Sequence, residues 1–185
     1  KGLVAWMKAN PGKATFVNQN AAGQTAGVML QQLTGTSVLF VPYKGAGPAI
    51  QDMLAGHVDL LVVQAAAALP QVRAGTLKAS ANMSPARSPV VPGIPTSDEA
   101  GVPGLHLTGW FGLWAPKGTP KEAIAKLNAA MVAALADPGL RQKFSDLGLD
   151  VASRDQQTPE GLAAFLKAEI DKWWPIMKAA GIKAE

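Results

Sequence analysis

The sequence contains no cysteine, which excludes disulfide bonds, thiolate catalysis and cysteine-based metal sites. It also lacks any run of the ~18–20 apolar residues that a transmembrane helix needs. No signal peptide is expected, because Lys1 and Gly2 lead into a helix-forming segment rather than an apolar one. Charged residues are sparse, at 16% of 185, and the mean hydropathy of +0.12 is typical of a globular chain with a core.

The residue patterns of common enzymes and nucleic-acid-binding proteins are missing as well. The formal charge of +4 comes from basic side chains that are scattered singly, so we expect no nucleic-acid partner. His57 and His106 lie far apart in the sequence and lack zinc-ligand spacing. No nucleophile elbow of the form G-x-S-x-G and no nucleotide-binding glycine motif is present. We predict no enzymatic activity, no catalytic residues, no metal site and no cofactor.

The most informative stretch runs from Val38 to Val63 and predicts a right-handed βαβ unit of a parallel sheet. A short β-branched and aromatic run, Val38–Val41, predicts its first strand. Pro48 suits the first turn of a helix and Gly56 its C-terminal cap. The almost continuously apolar run Val58–Val63 is typical of a strand that is covered on both faces.

Further elements are predicted on both sides of this unit. The first third predicts a helix, a strand, an amide-rich loop and a second helix that Gly35 ends, with Val28, Met29 and Leu33 as its apolar stripe. The ranges of the first three are Leu3–Ala9, Thr15–Val17 and Asn18–Thr25. A loop with a short helix interrupted by Pro70 should follow. Two further strands are predicted at Leu77–Asn82 and Leu107–Trp114, separated by a proline-rich segment.

The last third predicts three helices with apolar stripes. A capping box at Thr119–Glu122 should open the first. Asp137 and Pro138 should open the second, and Thr158 with Pro159 the third, which Pro175 should bend. The stripe of the first helix consists of Ile124, Leu127, Met131 and Leu135. That of the third consists of Leu162, Phe165, Leu166, Ile170, Trp173 and Met177.

Several collinear motifs carry a family resemblance. They include NPGK at 10–13, VPYKG at 41–45, RAGTLKA at 73–79, EAGVPG at 99–104, WFGLWAPKGTP at 110–120 and KAAGIK at 178–183. In order and spacing the sequence resembles the Bug-type, TctC-like solute receptors of tripartite tricarboxylate transporters. The resemblance implies an α/β fold similar to one lobe of a type II periplasmic binding protein. That lobe has a mixed, mainly parallel sheet flanked by helices.

The resemblance also implies two domains. Residues 1–108 correspond to the second lobe of the family, and residues 109–185 to a crossing strand and C-terminal helices that belong to the first lobe. The glycine- and proline-rich loop by which the first lobe supplies half of the ligand site has no counterpart in this sequence. The apolar stripes of the C-terminal helices would normally pack on the sheet of that lobe. We therefore expect a homodimer, formed by close pairing or by exchange of these helices, or else helices that fold back on their own lobe.

Two functions follow from the resemblance. The leading one is recognition of a small carboxylate in the periplasm, with the membrane subunits of a tripartite transporter as partners. The alternative is a truncated receptor lobe with lost or altered ligand binding that acts as a self-assembling or interaction module. A piece cut from a longer receptor is a third possibility.

The resemblance places the ligand loop of the second lobe at Val17–Thr25, where amides replace the serines of the family. Two further candidates are Lys44, in the VPYKG turn, and Gln64, after the strand 58–63. The complete set of candidate ligand-binding residues is Asn18, Gln19, Asn20, Gly23, Gln24, Thr25, Lys44 and Gln64. The alternative for the loop is that its polar side chains cap the next helix, and for Lys44 that it is solvated. Trp110 matches an aromatic residue at the lobe crossing and is either a hinge or a packing residue.

Overall fold

The computed structural model describes residues 2–182, and Lys1 and Lys183, which the sequence predictions include, lie outside this range. The helices are α1 Gly2–Ala9, α2 Ala21–Thr34, α3 Ala46–Leu54, α4 Ala65–Arg73, α5 Lys121–Ala136, α6 Pro138–Asp146 and α7 Pro159–Ala179. The strands are β1 Thr15–Asn18 and β2 Leu39–Pro42. A short 3₁₀ turn covers Arg154–Gln156. By its contacts, the described chain divides into unit 1, residues 2–108 with 176–182, and unit 2, residues 109–175.

The sheet of unit 1 is parallel. Strands β1 and β2 pair with Thr15 opposite Leu39. Segment 58–63 lies on the other side of β1, where the Val17 N–H donates to the Leu60 carbonyl at 2.8 Å and the Leu60 N–H to the Thr15 carbonyl at 3.0 Å. Strand β2 and segment 58–63 run parallel, as the predicted βαβ unit requires. Strand β1 lies between them in the sheet.

The prediction that segment 58–63 is a strand covered on both faces is wrong. Only a single bridge, between Leu60 and Phe16, ties it to the sheet. Val58 alone in the segment is buried, at 5% exposure, and its neighbours are half-buried or exposed. The segment borders the described sheet, so it pairs on one side only. Its ladder is shortened because the Asp59 carboxylate accepts from the N–H and hydroxyl of Thr15 at 2.8 and 2.7 Å.

Helix α2 begins earlier and buries a different face than predicted. It starts at Ala21, so residues 21–25 are helical and not loop. Its buried face consists of small residues, among them Ala26 and Gly27, whereas Leu33 of the predicted stripe is 49% exposed. A Cβ at Gly27 would lie 2.5 Å from the Phe40 ring, so only glycine allows the helix this close to the sheet. The helix ends at Gly35, as predicted, with φ of 63°.

Several other elements differ from the predictions. Helix α4 continues through Pro70. Segment 77–82 forms no strand, because only Asn82 makes a bridge, to Thr96. Segment 107–114 forms no strand either, and no ladder partner for it occurs among residues 2–182. Strands need partners, which the sequence pattern of a single segment does not reveal.

The helix ends of the last third also differ in part. The capping box predicted at Thr119–Glu122 is wrong, because Pro120 takes the N-cap position and the Thr119 hydroxyl donates to the Pro116 carbonyl. Asp137 caps α6 as predicted, its Oδ1 accepting from the Leu140 N–H at 2.8 Å. Helix α7 starts at Pro159, as predicted, and continues through Pro175. No residue of α5, α6 or α7 is buried.

Candidate functional site

The carboxyl ends of β1, β2 and segment 58–63 lie at one edge of the sheet because all three are parallel. Helices α2, α3 and α4 begin directly after them, at the N-caps Asn20, Gly45 and Gln64. Each helix N-terminus carries a partial positive charge of about half an elementary charge. None of the three first turns contains an acidic residue that would offset it. This edge, which we call the strand-end site, therefore favours an anion.

A crevice at this edge is expected between β1 and segment 58–63. The chain leaves β1 to one side for β2, and then returns past β1 to segment 58–63. In open α/β sheets, ligands bind where the direction of strand succession reverses in this way. The Gln19 side chain spans the two segments here, its Nε2 donating to the Val62 carbonyl at 3.0 Å.

The residues directly after β1 are engaged with α2. Asn20 caps the helix, its Oδ1 accepting from the Gly23 N–H at 2.8 Å, and its carbonyl accepts from the Gln24 N–H at 3.0 Å. Thr25 is buried, and its hydroxyl donates to the Ala21 carbonyl at 2.8 Å. Capping accounts for the contact of Asn20, as the alternative prediction proposed, whereas the Thr25 hydroxyl bonds back to a carbonyl of its own helix. Their roles toward a ligand stay predictions, as do those of Gly23 and Gln24.

The resemblance implies backbone donors at a helix start within Val17–Thr25, but the sequence did not single out the residues that carry them. The first N–H groups of a helix have no partner within the helix. Those of Gly23 and Gln24 bond to Asn20, and those of Ala21 and Ala22 have no partner among the described residues. No side-chain pattern marks these two donors, and only the observed helix start at Ala21 identifies them.

Lys44 lies in the connection between β2 and α3. Its side chain is exposed, whereas neighbouring Tyr43 is half-buried. The Tyr43 hydroxyl donates to Asp52 Oδ2 on α3 at 2.7 Å, which fixes the connection against the helix. This hydrogen bond holds the pKa of the Asp52 carboxyl below its ordinary value and raises that of Tyr43. The exposed amine of Lys44 therefore extends from an anchored turn at the strand-end site.

Gln64 and Asn18 complete the set of candidates at the strand ends. Asn18 is the last residue of β1, and its carbonyl accepts from the Tyr43 N–H at 2.8 Å. Gln64 is exposed at the N-cap of α4, where its side chain makes no cap hydrogen bond. The topology thus brings Asn18, Gln19, Asn20, Lys44 and Gln64 to the same edge.

The net charge belongs to the unit that contains this edge. Residues 1–108 and 176–185 include nine basic and five acidic side chains, and residues 109–175 eight of each. The whole formal charge of +4 is therefore assigned to unit 1. Such a field favours the approach of anionic solutes over cationic ones.

Trp110 lies in unit 2, and its ring contacts are with residues of that unit. Its ring packs edge-on against Phe165, with centroids 5.1 Å apart, and lies 6.5 Å from the ring of Trp114. These contacts support the packing alternative, and a hinge role stays a prediction.

Residues 2–182 contain few other groups that suggest chemistry. That range contains no group of three His, Asp or Glu residues that could hold a metal ion. His106 Nε2 lies 2.9 Å from Asp98 Oδ1, and nearby Ser97 is buried and donates to the Leu105 carbonyl. No single helix there is long and apolar enough to cross a membrane; α5 and α6 meet the length and composition criteria only as a pair bent by 72°.

Comparison with known proteins identifies the family. The tripartite tricarboxylate transporter family receptor, TctC, matches residues 1–182. The chain is 32–37% identical to three curated relatives and spans about half of their length. The predicted resemblance is thereby confirmed.

Solved structures with the same fold support this match. The chain superposes on the periplasmic binding protein BugD with a TM-score of 0.86 at 35% identity, covering 99% of this chain and 62% of that one. It superposes on the Rhodopseudomonas palustris protein Rpa4515 with adipate with a TM-score of 0.89 at 28% identity, covering 99% of this chain and 61% of that one. It superposes on MatC of the same species with bound malate with a TM-score of 0.81 at 32% identity, covering 94% of this chain and 60% of that one. The predicted α/β fold class is confirmed. These similar proteins are solute-binding receptors and not enzymes.

Proposed function

The chain belongs to the tripartite tricarboxylate transporter receptor family, and we propose on this premise that it binds a small carboxylate reversibly in the periplasm for such a transporter. Two of the similar structures hold dicarboxylates, adipate and malate. A third similar structure is a periplasmic binding protein. The membrane subunits of the transporter are the proposed partners.

The observation that carries this proposal is the set of three helix N-termini at the strand-end site. Backbone N–H groups and helix dipoles bind carboxylates well, because the charge they receive is negative and the donors are already oriented. Acidic side chains are absent from the first turns of α2, α3 and α4, so no competing anion is built in. Lys44 adds a formal positive charge at the same edge.

A substitution at Ala21 tests the backbone donors directly. Ala21 is the first residue of α2. The preceding Asn20 is extended at φ −171° and ψ 174°, as is favoured for a residue that precedes a proline. Ala21→Pro therefore removes one N–H without breaking the helix. Calorimetric titration should show saturable malate binding by the unaltered chain and roughly tenfold weaker binding by the variant, because a hydrogen bond to a charged group is lost.

The control for this experiment is Ala21→Gly, which keeps the N–H group. It should retain most of the affinity while weakening the helix slightly. If malate, adipate and tricarboxylates all fail to bind the unaltered chain, the proposed receptor function is wrong. Equal affinities of the proline variant and the unaltered chain would exclude the start of α2 as the binding site.

Unit 2 favours a second candidate function, self-assembly. None of its apolar side chains is buried among the described residues. Large ones remain exposed on α5 and α7, for example Leu127 at 48%, Ile170 at 52% and Trp174 at 61%. A second copy of the chain is the occupant we propose for this surface, in a homodimer formed by pairing or by exchange of the C-terminal helices.

Sedimentation at micromolar concentration tests the homodimer. The unaltered chain should sediment as a dimer, and Ile170→Glu should shift it toward the monomer because a charge would be buried at the interface. Ala168→Glu, at an exposed position of the same helix, adds the same single negative charge and should leave the dimer intact. A compact monomer of the unaltered chain would rule out self-assembly and favour cover by other parts of a longer polypeptide.

A further inference from the structure

The side-chain amide of Gln19 is bonded through its nitrogen, whereas its oxygen has no donor in the described part of the chain. Its Nε2 donates to the Val62 carbonyl at 3.0 Å. Its Oε1 is buried, and no donor among residues 2–182 reaches it. A buried acceptor without a partner costs free energy, so a donor from outside the described chain would stabilise this side chain.

The hydrogen bond to Val62 determines whether the missing partner of Oε1 is a donor or an acceptor. A backbone carbonyl can only accept, so the amide atom facing Val62 must be the NH₂ group. Oε1 is therefore held as an acceptor, and its partner must be a hydrogen-bond donor. A carboxylate is acceptor-only when it is ionised, so the carboxylate group of a ligand cannot fill this role.

The position of Gln19 relates this acceptor to the strand-end site. The amide bridges the carboxyl ends of β1 and segment 58–63, where the crevice is expected. Gly23, in the first turn of α2, faces the same side chain, because a Cβ there would lie 3.8 Å from Gln19 Cγ. Glycine adds no side chain over Gln19, which as a whole remains partly exposed. A ligand received by the N–H groups of α2 would therefore lie beside this amide.

We propose that Gln19 accepts a hydrogen bond from a hydroxyl group of the bound solute, so that the strand-end site prefers a hydroxy-dicarboxylate over the same dicarboxylate without the hydroxyl. The inference rests on the proposed carboxylate binding and assigns its specificity to one residue. An ammonium group is the other donor found beside carboxylates. It is disfavoured here, since the edge collects three positive helix ends and Lys44 in a unit of net charge +4.

Malate and succinate test this proposal because they differ only by one hydroxyl group. Calorimetric titration of the 185-residue chain should give about tenfold tighter binding of malate, the size expected for one satisfied buried acceptor. Aspartate, which carries an ammonium group at the same carbon, should bind no better than succinate. In Gln19→Met, which keeps the length of the side chain but has neither amide atom, the malate preference should fall to about one.

Gln71 provides the matched control. Its Oε1 is also buried without a donor among the described residues, but it lies within α4, seven residues beyond the N-cap Gln64. Gln71→Met should therefore leave the malate preference of the unaltered chain unchanged. A thermal melt of each variant establishes that it is folded, and Gln19→Leu, which also lacks both amide atoms, takes the place of Gln19→Met if that variant does not fold.

The outcomes separate this inference from the function on which it rests. Equal binding of malate and succinate would overturn the role of Gln19 and leave carboxylate binding in place. A malate preference that survives in Gln19→Met would show that another group reads the hydroxyl, and would also overturn it. Failure of every carboxylate to bind would remove the proposed function, and this inference with it.

Discussion

Both units of this chain contain helices with apolar stripes, but their interiors are very different. Every buried apolar side chain of residues 2–182 belongs to unit 1, where Val17, Ala49 and Val58 form a cluster against the sheet. In unit 2 the buried residue is a polar one, Gln157. Its Nε2 donates to the Ala152 carbonyl, and its backbone carbonyl accepts from Asn128 Nδ2. The units differ because, among the described residues, only unit 1 has a sheet on which its helices pack.

An apolar stripe at helical spacing predicts that a helix forms, but it does not predict that the helix is buried. The repeat of apolar residues at helical spacing is present in α5 and α7 as it is in α3. In unit 1, helices have a sheet to pack on, and Ile50 of α3 is 8% exposed. In unit 2 no strand occurs among the described residues, and Ile170 of α7 is 52% exposed. An apolar stripe stabilises a helix only when a second layer covers it.

The largest expected difference between the units is the cost of removing an apolar side chain. Phe16 is 1% exposed on β1 and packs edge-on against Phe40, with ring centroids 5.7 Å apart. Phe16→Ala should lower the free energy of unfolding by about 3–5 kcal/mol. Ile170→Ala in unit 2 should cost under about 1 kcal/mol when the chain is dilute enough to be monomeric, because the side chain is then half exposed. Urea unfolding followed by circular dichroism measures both.

Comparable losses for the two substitutions would contradict the contrast in burial. In the monomer they would mean that Ile170 is covered within the chain, whereas a loss for Ile170→Ala that grows with protein concentration would indicate the proposed homodimer. The same pair should therefore be measured at several protein concentrations, because stability that depends on association varies with concentration.

The next effect concerns the close contact that gives unit 1 its core. A Cβ at Gly27 would lie 2.5 and 2.8 Å from two atoms of the Phe40 ring, so Gly27→Ala must displace the ring or the helix. We expect a loss of about 1–3 kcal/mol in the free energy of unfolding. Gly47→Ala, in α3, meets nothing within 4 Å and should instead stabilise by up to about 1 kcal/mol. Opposite signs in one thermal-melt series would support the close packing, whereas two stabilising changes would refute it.

Local signals in the sequence predicted the ends of elements well. Pro48 lies in the first turn of α3, Gly56 follows its end at φ 80°, and Asp137 caps α6. The capping box was placed wrongly because the Thr-x-x-Glu spacing occurs twice. At Thr96–Glu99 the box is formed, with the Thr96 N–H donating to Glu99 Oε2 at 2.8 Å and the Glu99 N–H to the Thr96 hydroxyl at 3.2 Å. At Thr119 the following proline takes the cap position instead.

Features that depend on contacts distant in sequence were not predictable. The predicted strand Leu107–Trp114 has suitable residues and no partner in the described chain, and the face of α2 that is buried depends on Phe40. Within the candidate site, the sequence did predict that the amides after β1 lie at the strand end. The Gln19 contact with Val62 was not predictable, because a backbone carbonyl leaves no mark in the sequence and the two residues are 43 positions apart.

The smallest expected effect is a pH dependence of the proline-rich segment of unit 1. The Thr96 N–H, followed by the Arg87 guanidinium with its Nε 2.9 Å from Oε2, holds the pKa of Glu99 below its ordinary value of 4.5. A carboxylate with a lowered pKa in the folded state stabilises it fully above pH 4.5, and this contribution is lost as the pH falls through the lowered pKa. Thermal melts of the unaltered chain should therefore show a decline below pH 4.5 that is smaller in Glu99→Gln. Because Glu99 is exposed to solvent the decline should be slight, and identical pH profiles for the two proteins would show that the capping box and the Arg87 pair contribute nothing to the stability of unit 1.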